Sequence, residues 1–493
     1  MAAIITEKFR VHNARQFKED FGEAASNTYI FIGRSYPWTD DTVPPTPANA
    51  VGEEIDAWSD MIAMKEVTSA DVSHGLTRYD WDINGATKYD EYTHDISSAN
   101  PSSATSATNL YDSRFFVITD DYNVYKCIRS GRNSSGVVVN STEKPTGTSP
   151  TSLVTTTDTD AATGRGYIWK YMYTVTASDT IKFVTNDFIP IKTLGAQTEI
   201  KGDLGAFGSA GTDDGSSQYD VENQAVDGAV HHVHVSAAGS GYTGNSGTHN
   251  YTGVVIDGDG SGGVCTVHVV SEQISHITVT TPGTGYKRAS IDIANISGIG
   301  SGSGASAKVI ISPLYGHGAD PVSELGGNYV IVNSRLEFAE GSGDFPTDND
   351  FRRVGLIQDP FNVGTTTVAT ASTLTAYNQF SCSSVASLSI DDTILNANSN
   401  GAAVAVAKVV SLSTSGNIVK YTTIANAGGE YVNFTNSDTD VYVDGSSVAT
   451  SVSVSASHPE VQRYSGEIMY IENRGAVTRA ADQIEDIKLI IEM

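Results

Sequence analysis

Cysteine is scarce in this sequence, and the three cysteines present lie far apart. They are Cys127, Cys265 and Cys382, and none belongs to a Cys-x-x-Cys motif. A disulfide framework needs an even set of cysteines, and a zinc knuckle needs paired ones. The sequence signals neither, so we expect three isolated thiols that are buried or half-buried.

Positive charge is also in short supply. Lysine and arginine number 30 against 57 aspartates and glutamates, which gives a net charge of −27. Cationic contacts to phosphate drive nucleic-acid binding, so we expect no nucleic-acid partner. No stretch approaches the roughly 18 apolar residues of a membrane helix, and the first residues lack the pattern of a secretory signal. We therefore expect no membrane insertion.

Glycine, serine and threonine are abundant, whereas only 18% of the residues are charged. This composition is typical of short strands joined by many turns. A length of 493 residues allows two to four domains with a sizeable core. The predicted fold class is mainly β with a minor α component.

The first predicted elements are a short apolar stretch over residues 4–10 and a helix. Asn13 predicts the helix N-cap, Phe17 and Phe21 share one helical face, and Gly22 ends the helix. Four strands are predicted downstream, at residues 28–32, 115–119, 123–128 and 167–175.

A second helical face follows a proline-rich segment. Val51, Ile55, Trp58 and Ile62 step by four, three and four positions, which is the spacing of one face of a helix. Such a stripe packs into a core in most proteins. Tryptophan is also favoured at the centres of protein interfaces, so the alternative of an anchor for a partner stays open.

The last segment predicts strands. Over residues 463–474 apolar side chains alternate onto both faces, which predicts a strand buried within a layered sheet. Gly475 then offers a turn. In residues 486–493, one face of a second predicted core strand carries Ile487, Leu489, Ile491 and Met493.

Several short blocks stand in the order in which they occur in a known family. The outer blocks are Ile5–Arg10, Ile30–Trp38 and Arg463–Arg474. The inner blocks are Trp58–Met61, Arg78–Trp81, Val124–Cys127, Gly164–Tyr171 and Phe351–Ile357. In these blocks the chain resembles the baseplate wedge subunit of T-even-type contractile-tail bacteriophages, over roughly residues 4–200, 325–365 and 458–493.

The resemblance implies a layered β-sandwich core with helix-bearing loops. It also implies a homodimer that contacts other baseplate wedge proteins, synthesised in the host cytoplasm and located in the virion tail baseplate. The expected function is structural: to join neighbouring wedge subunits in the contractile injection apparatus, without enzymatic activity, catalytic residues or a cofactor.

Two β-rich inserts are expected to interrupt the family-like blocks. Residues 205–316 are rich in glycine and contain an internal repeat, in which 230–242 is echoed by 274–286. We interpret them as two similar hairpin units packed into one small domain. The predicted organisation is a discontinuous core of 1–204, 317–365 and 458–493, the insert 205–316, and a second insert 366–457.

Three groups of residues are candidates for metal or acid chemistry. His232 and His234 share a strand face beside His231, but the sequence offers no third ligand, so a polar strand face is preferred to a metal site. Asp257–Gly262 begins like a calcium loop, but its twelfth position is His268, which favours a turn. The carboxylate pairs are interpreted as solvated turn residues; they are Asp40-Asp41, Asp213-Asp214 and Asp391-Asp392.

Two rival functions remain open beside the structural one. The inserts could bind a host-surface glycan through tyrosines expected to be exposed, namely Tyr242, Tyr286, Tyr377 and Tyr431. The chain could also be a polysaccharide depolymerase, which would need two carboxylates facing each other across a cleft.

Overall fold

The structure, a computed structural model, describes residues 4–23, 26–192, 194, 215–244, 246–337, 345–396, 404–480 and 482–493. Within these ranges the chain is mainly β, built from several antiparallel sheets, which confirms the predicted fold class. None of the helices in this part is long and apolar enough to cross a membrane. The Asp213-Asp214 pair lies outside the described residues.

The described helices are short. They are α1 (Glu7–Asp20), α2 (Val51–Asp60), α3 (Ala177–Phe183), α4 (Ser217–Asn223) and α5 (Pro321–Leu325). The strands of the first part of the chain are β1 (Thr28–Gly33), β2 (Met61–Val67), β3 (Val72–Thr77), β4 (Phe116–Ile118), β5 (Asn123–Arg129), β6 (Val154–Thr155), β7 (Ile168–Thr174) and β8 (Phe188–Ile191). The strands of the glycine-rich region are β9 (Val230–Ser240), β10 (Thr248–Val255), β11 (Asp257–Gly258), β12 (Ser261–Val270), β13 (Gln273–Thr284), β14 (Ala289–Ser290) and β15 (Ser303–Ile311). The remaining strands are β16 (Tyr329–Leu336), β17 (Asn349–Gln358), β18 (Thr373–Thr375), β19 (Asn378–Ser381), β20 (Thr393–Leu395), β21 (Val406–Ser413), β22 (Ile418–Thr423), β23 (Asp440–Val443), β24 (Ser446–Thr450), β25 (Ser453–Val454), β26 (Glu467–Arg479) and β27 (Glu485–Glu492).

The chain forms two compact units. The first contains residues 1–15, 73–331 and 490–493, and the second contains 16–72 and 332–489. The core-and-inserts division expected from the sequence cuts the chain at other points and stays a prediction.

One four-stranded sheet of the first unit has the order β4-β5-β7-β6. Three of its strands are those predicted at 115–119, 123–128 and 167–175. Its core is aromatic, because Tyr125, Trp169 and Tyr171 are each at most 1% exposed. The Tyr167 and Trp169 rings stack at 5.5 Å, which fixes the face of this sheet next to the candidate site.

The glycine-rich region forms a five-stranded sheet with the order β10-β12-β13-β9-β15. The internal repeat is visible in it, because β9 and β13 begin the two copies and β12 and β15 close them. Each opening strand pairs with the closing strand of the other copy: β9 with β15, and β13 with β12. The two copies are therefore interleaved within one sheet, whereas the sequence predicts two similar hairpin units packed into one small domain.

In the second unit, a five-stranded sheet has the order β18-β2-β1-β17-β26. The predicted strand 28–32 is the central strand β1, and all six of its residues are buried. The predicted strand at 463–474 is β26, but it is an edge strand, and Met469 is 44% exposed. The expectation that β26 is buried on both faces is wrong. The alternation of apolar side chains along a strand does not reveal whether other parts of the protein cover both of its faces. The predicted turn at Gly475 is also wrong, since β26 continues to Arg479.

A seven-stranded sheet completes the second unit, with the order β24-β23-β20-β21-β22-β19-β25. Its own apolar core includes Phe380, Tyr421 and Phe434, whose rings contact one another at 5.0–5.5 Å. A separate core is what allows such a sheet to fold as one piece.

The start of α1 also differs from the prediction. The helix begins at Glu7, because the Thr6 side chain accepts the Phe9 amide at 3.3 Å and so caps the first turn. Asn13 is therefore inside the helix and is not its N-cap. The apolar stretch at 4–10 is helical from Glu7 onward, and Ile4 and Ile5 are exposed.

Candidate functional site

The histidine-rich strand β9 carries the residues that the sequence analysis singled out. His232 and His234 lie on one face of the strand, as alternate residues must. Val233, between them, enters the apolar core of the duplicated sheet. His232 is 7% exposed, whereas the His234 side chain is 31% exposed. This face is therefore half closed and is not the open polar surface that the sequence suggested.

The structure brings a third ligand-type residue, Glu91, to this face. Its backbone neighbours are fixed in an extended segment, since the Asp90 amide donates to the Arg114 carbonyl and the Tyr92 amide donates to the Cys127 carbonyl. The Glu91 carboxylate then points at β9. Its Oε1 lies 3.0 Å from His234 Nδ1, and its Oε2 lies 3.5 Å from His232 Nε2.

The Glu91 carboxylate has two further neighbours. Arg132 donates to Oε1 at 3.1 Å, and the Ser130 amide donates to Oε2 at 3.3 Å. Burial alone would raise the pKa of the Glu91 carboxyl, but the neighbouring histidines and guanidinium hold it well below its usual range. Burial lowers the pKa of His232. At neutral pH the cluster thus contains a carboxylate and a neutral imidazole.

Sequence reasoning missed Glu91. It stands far upstream of the histidines, in a segment with no ligand motif, and only the fold places it beside β9. Asp90 and Tyr92, on either side of it, carry no signal that distinguishes Glu91 from other acidic residues of the chain.

A second buried polar cluster lies in the same unit. Lys126 Nζ is 2.7 Å from Glu324 Oε2 and 3.0 Å from His317 Nδ1, and it sits 3.7 Å from the centre of the Tyr92 ring. Burial lowers the pKa of Lys126 and raises that of Glu324. Because the charges in this cluster are paired and hydrogen-bonded, we interpret it as part of the packed interior of the unit.

The signature Gly33–Trp38 meets the block Phe351–Ile357 in the second unit. Arg352 donates to Asp41 at 2.9 Å and also to the Ser35 carbonyl. Arg353 binds Asp60 at 3.0 Å. Both blocks belong to those that resemble the wedge family. In the fold they lie together around a cluster of buried arginines.

Arg34 completes this arrangement. Its backbone has φ +55°, a left-handed conformation, and its amide donates to the Asp60 carbonyl at 2.8 Å. Its guanidinium covers the Trp38 ring at 3.6 Å and the Tyr36 ring at 4.0 Å. Stacking and a buried carboxylate offset the cost of the strained backbone.

The stripe beginning at Val51 divides into two parts. Val51 is 70% exposed, whereas Trp58 and Ile62 are at most 4% exposed. The helix ends at Asp60, so Ile62 belongs to strand β2 and not to the helix. Trp58 and Met61 lie in the core of the sheet, which makes the core interpretation correct for this end of the stripe and removes these two residues as partner anchors.

The tyrosines proposed for glycan binding are not exposed. Tyr242, Tyr286 and Tyr377 are 3%, 3% and 0% exposed. The Tyr286 hydroxyl donates to the Ile256 carbonyl at 2.9 Å and accepts the Gly263 amide at 3.1 Å. The half-buried Tyr431 bonds to Asp56. The expectation of an exposed aromatic binding surface is wrong for the first three residues, because their rings pack inside the sheets.

The remaining acidic candidates are engaged locally. Asp257 and Gly258 form strand β11, and Asp259 accepts the Lys287 and Arg288 amides at 2.9 Å each. The segment is therefore tied to the next copy of the repeat. Asp40 accepts the Thr42 hydroxyl and amide, and Asp392 accepts the Ser389 amide, as turn residues do.

The cysteines are isolated thiols. Cys127 and Cys265 are buried, and Cys382 is half-buried. Burial raises the pKa of Cys265 to about 11. This matches the expectation for thiols without a disulfide partner or reactive role.

Comparison with known proteins identifies a class for the first part of the chain. Residues 3–222 match the family described as Bacteriophage T4, Gp8. Over these residues the chain is similar to the T4-like baseplate wedge subunits, which confirms the resemblance drawn from the sequence for residues 4–200.

One relative is the baseplate wedge protein gp8 of Enterobacteria phage T4. It is 26% identical over 215 residues, an alignment that covers 38% of this chain and 60% of the relative. The chain thus spans about 60% of the length of that protein. The resemblance seen at 325–365 and 458–493 lies beyond the matched residues and stays a prediction.

Proposed function

We propose that this chain is a structural component of a phage tail baseplate wedge, where it joins neighbouring wedge subunits of the contractile injection apparatus. The observation that carries the proposal is the match of residues 3–222 to the Gp8 family, together with the similarity to a baseplate wedge protein. Its place would be the tail baseplate of the virion.

The arrangement of the described side chains supports a structural role. The charged clusters at Lys126 and Arg353 are paired and buried within their units. Buried pairs of this kind hold one conformation and do not present groups to a substrate. Together with the similarity to a baseplate wedge protein, these buried clusters support our inference that the protein is not an enzyme.

Its partners would be other baseplate wedge proteins and a second copy of itself. The homodimer rests on the family resemblance alone, because Trp58 and Met61 are core residues. Light scattering of the purified chain at micromolar concentration should give twice the monomer mass of 52.1 kDa. A monomeric mass would contradict the proposed dimer, but it would not contradict the proposal that the chain is a baseplate wedge component.

The wedge assignment is tested in the phage. A phage whose gene for this chain carries an early stop codon should assemble heads but no complete baseplates, and supplying the intact chain in trans should restore tails. Electron microscopy of the lysate reads out the result. Complete baseplates formed without the chain would reject the proposal.

A further inference from the structure

We propose that Glu91, His232 and His234 bind one divalent transition-metal ion of the zinc type. The three side chains each offer one ligand atom, and these atoms lie within 4.8 Å of one another. Across the ranges that the structure describes, no other set of three His, Cys, Asp or Glu side chains comes together in this way. Two imidazoles and one carboxylate are a ligand set that zinc sites use.

The distances fit a tetrahedral ion. Ligand bonds of about 2.0–2.2 Å to nitrogen and oxygen place neighbouring ligand atoms about 3.3 Å apart. The carboxylate oxygens of Glu91 lie 3.0 Å from His234 Nδ1 and 3.5 Å from His232 Nε2. One ligand atom of each residue lies within 4.8 Å of the others, so rotation of the side chains would let all three converge on one ion.

One of the proposed ligand atoms lacks a hydrogen-bond partner. His232 Nε2 is buried and makes no hydrogen bond, and its residue is only 7% exposed. A buried polar atom without a partner costs about 1–3 kcal/mol. Coordination would satisfy this nitrogen, and the Arg132 and Ser130 donors would remain to orient the carboxylate, as second partners of metal ligands do.

Two of the three proposed ligands, Glu91 and His234, line a cavity. His234 borders a cavity of about 140 Å³ that is also lined by Thr93, Ser236 and Lys308. The Lys308 ammonium pairs with Asp95, so its charge is compensated at the rim. Water can thus complete the coordination, as it does in other three-ligand zinc sites.

The ion would tie together two parts of the first unit. Glu91 belongs to the segment that matches the wedge family, whereas the histidines belong to β9, outside the match. Its role is therefore a staple between the family fold and the duplicated sheet. This inference stands independently of the wedge assignment.

Zinc binding to the full chain tests the site. After treatment with a chelator and its removal, calorimetric titration with ZnCl₂ should show one ion per chain with a dissociation constant in the micromolar range or below. Co²⁺ in place of zinc should give the visible absorption of a tetrahedral site. The thermal midpoint should rise with added zinc, since the ion binds the folded chain.

Glu91→Gln, His232→Gln and His234→Gln should each weaken zinc binding at least 100-fold. His234→Gln is the variant of choice for folding, because this side chain is the most exposed of the three. His12→Gln, at an exposed position of α1, is the matched control and should bind as the parent does. Circular dichroism checks that each variant is folded. Absence of binding below millimolar zinc, or equal binding by folded His234→Gln, would overturn the proposal.

Discussion

Arg353 and Asp60 are an ion pair in which each side chain is 2% exposed. Replacing Arg353 with methionine leaves a buried carboxylate without its closest partner. We expect the free energy of unfolding of the second unit to fall by about 3–5 kcal/mol. Urea unfolding followed by tryptophan fluorescence measures this, since Trp38 and Trp58 belong to the same unit.

The matched control for that variant is Arg335→Met. Arg335 pairs with Glu337 at 2.7 Å, but its side chain is 42% exposed. Exposed pairs contribute about 0–1 kcal/mol, so the control should unfold almost as the parent does. If Arg353→Met and Arg335→Met lower the free energy of unfolding equally, burial does not determine how much these ion pairs contribute to stability.

We expect the half-buried His276 to make the stability of the first unit sensitive to acid. Burial lowers the pKa of His276 to about 3, with His268, Arg165 and Arg129 lowering it further. A histidine in the unfolded chain has a pKa near 6.5. Below that pH this histidine is protonated in the unfolded chain but stays neutral in the folded chain. The contribution of His276 to stability is therefore present above about pH 6.5 and is lost as the pH falls toward 3.

His276→Gln removes this titration. The thermal midpoint of the parent should fall more steeply than that of the variant between pH 6.5 and pH 4, because glutamine binds no proton. The groups that face this ring are His268, stacked on it at 4.1 Å, and Ser275, at 3.1 Å. His12→Gln again serves as the control. Parallel curves for parent and His276→Gln would contradict the prediction.

At the scale of elements, the interleaved repeat depends on a close approach of two backbones. Gly283 has φ +66°, and a Cβ there would lie 2.6 Å from the Gly263 amide nitrogen and 2.7 Å from the Ser261 carbonyl oxygen. Both atoms belong to the closing strand β12 of the other copy. Gly283→Ala should therefore separate β12 from β13 and lower the thermal midpoint by several degrees.

Gly285→Ala is the matched control for this contact. Gly285 also has positive φ, at +75°, but a Cβ there meets nothing within 4 Å. Gly285→Ala should cost only the backbone penalty of a side chain in the left-handed region, about 1–2 kcal/mol. Thermal melting of the two variants, side by side, separates backbone strain from collision between strands. Equal thermal midpoints for Gly283→Ala and Gly285→Ala would contradict the idea that position 283 needs glycine because β12 and β13 approach closely there.

Local pattern predicts β1, β5 and β7, which have neighbouring strands on both sides, and also the edge strand β4. Strand β1 is evident from its apolar run, and β5 and β7 are likewise buried along almost their whole length. Strand β26 was misjudged, since its side chains read like those of a central strand. The start of α1 differs from the predicted N-cap at Asn13 because Thr6, whose residue type also favours the N-cap position, lies just before Glu7. Glu91 could not be predicted at all, because only tertiary structure relates it to β9.

At the scale of the whole molecule, the seven-stranded sheet should be removable from the second unit. The Ser455 amide donates to the Gln379 carbonyl at 2.8 Å, so the two ends of the sheet are adjacent. Joining these residues by two glycines, in place of 380–454, should leave a chain that melts cooperatively, because the closure path is short. Circular dichroism with thermal melting is the measurement.

The predicted boundaries of this insert give the comparison. Deleting residues 366–457 also removes β18, which pairs with β2 and places Leu374 and Ala376 in the core of the other sheet. This larger deletion should lose cooperative melting. If the smaller deletion also loses it, the seven-stranded sheet is not an independent part of the unit and the predicted domain division fails there.

The interleaving of the two repeat copies also bears on how this region diverged. Gly239 lies against Ser303 and Ala305, just as Gly283 lies against Ser261 and Gly263. Each copy thus supplies the closing strand that pairs with the opening strand of the other copy. Substitutions in one copy are then compensated in the other, so covariation among relatives should link Gly239 with Ala305 more strongly than with its own closing strand.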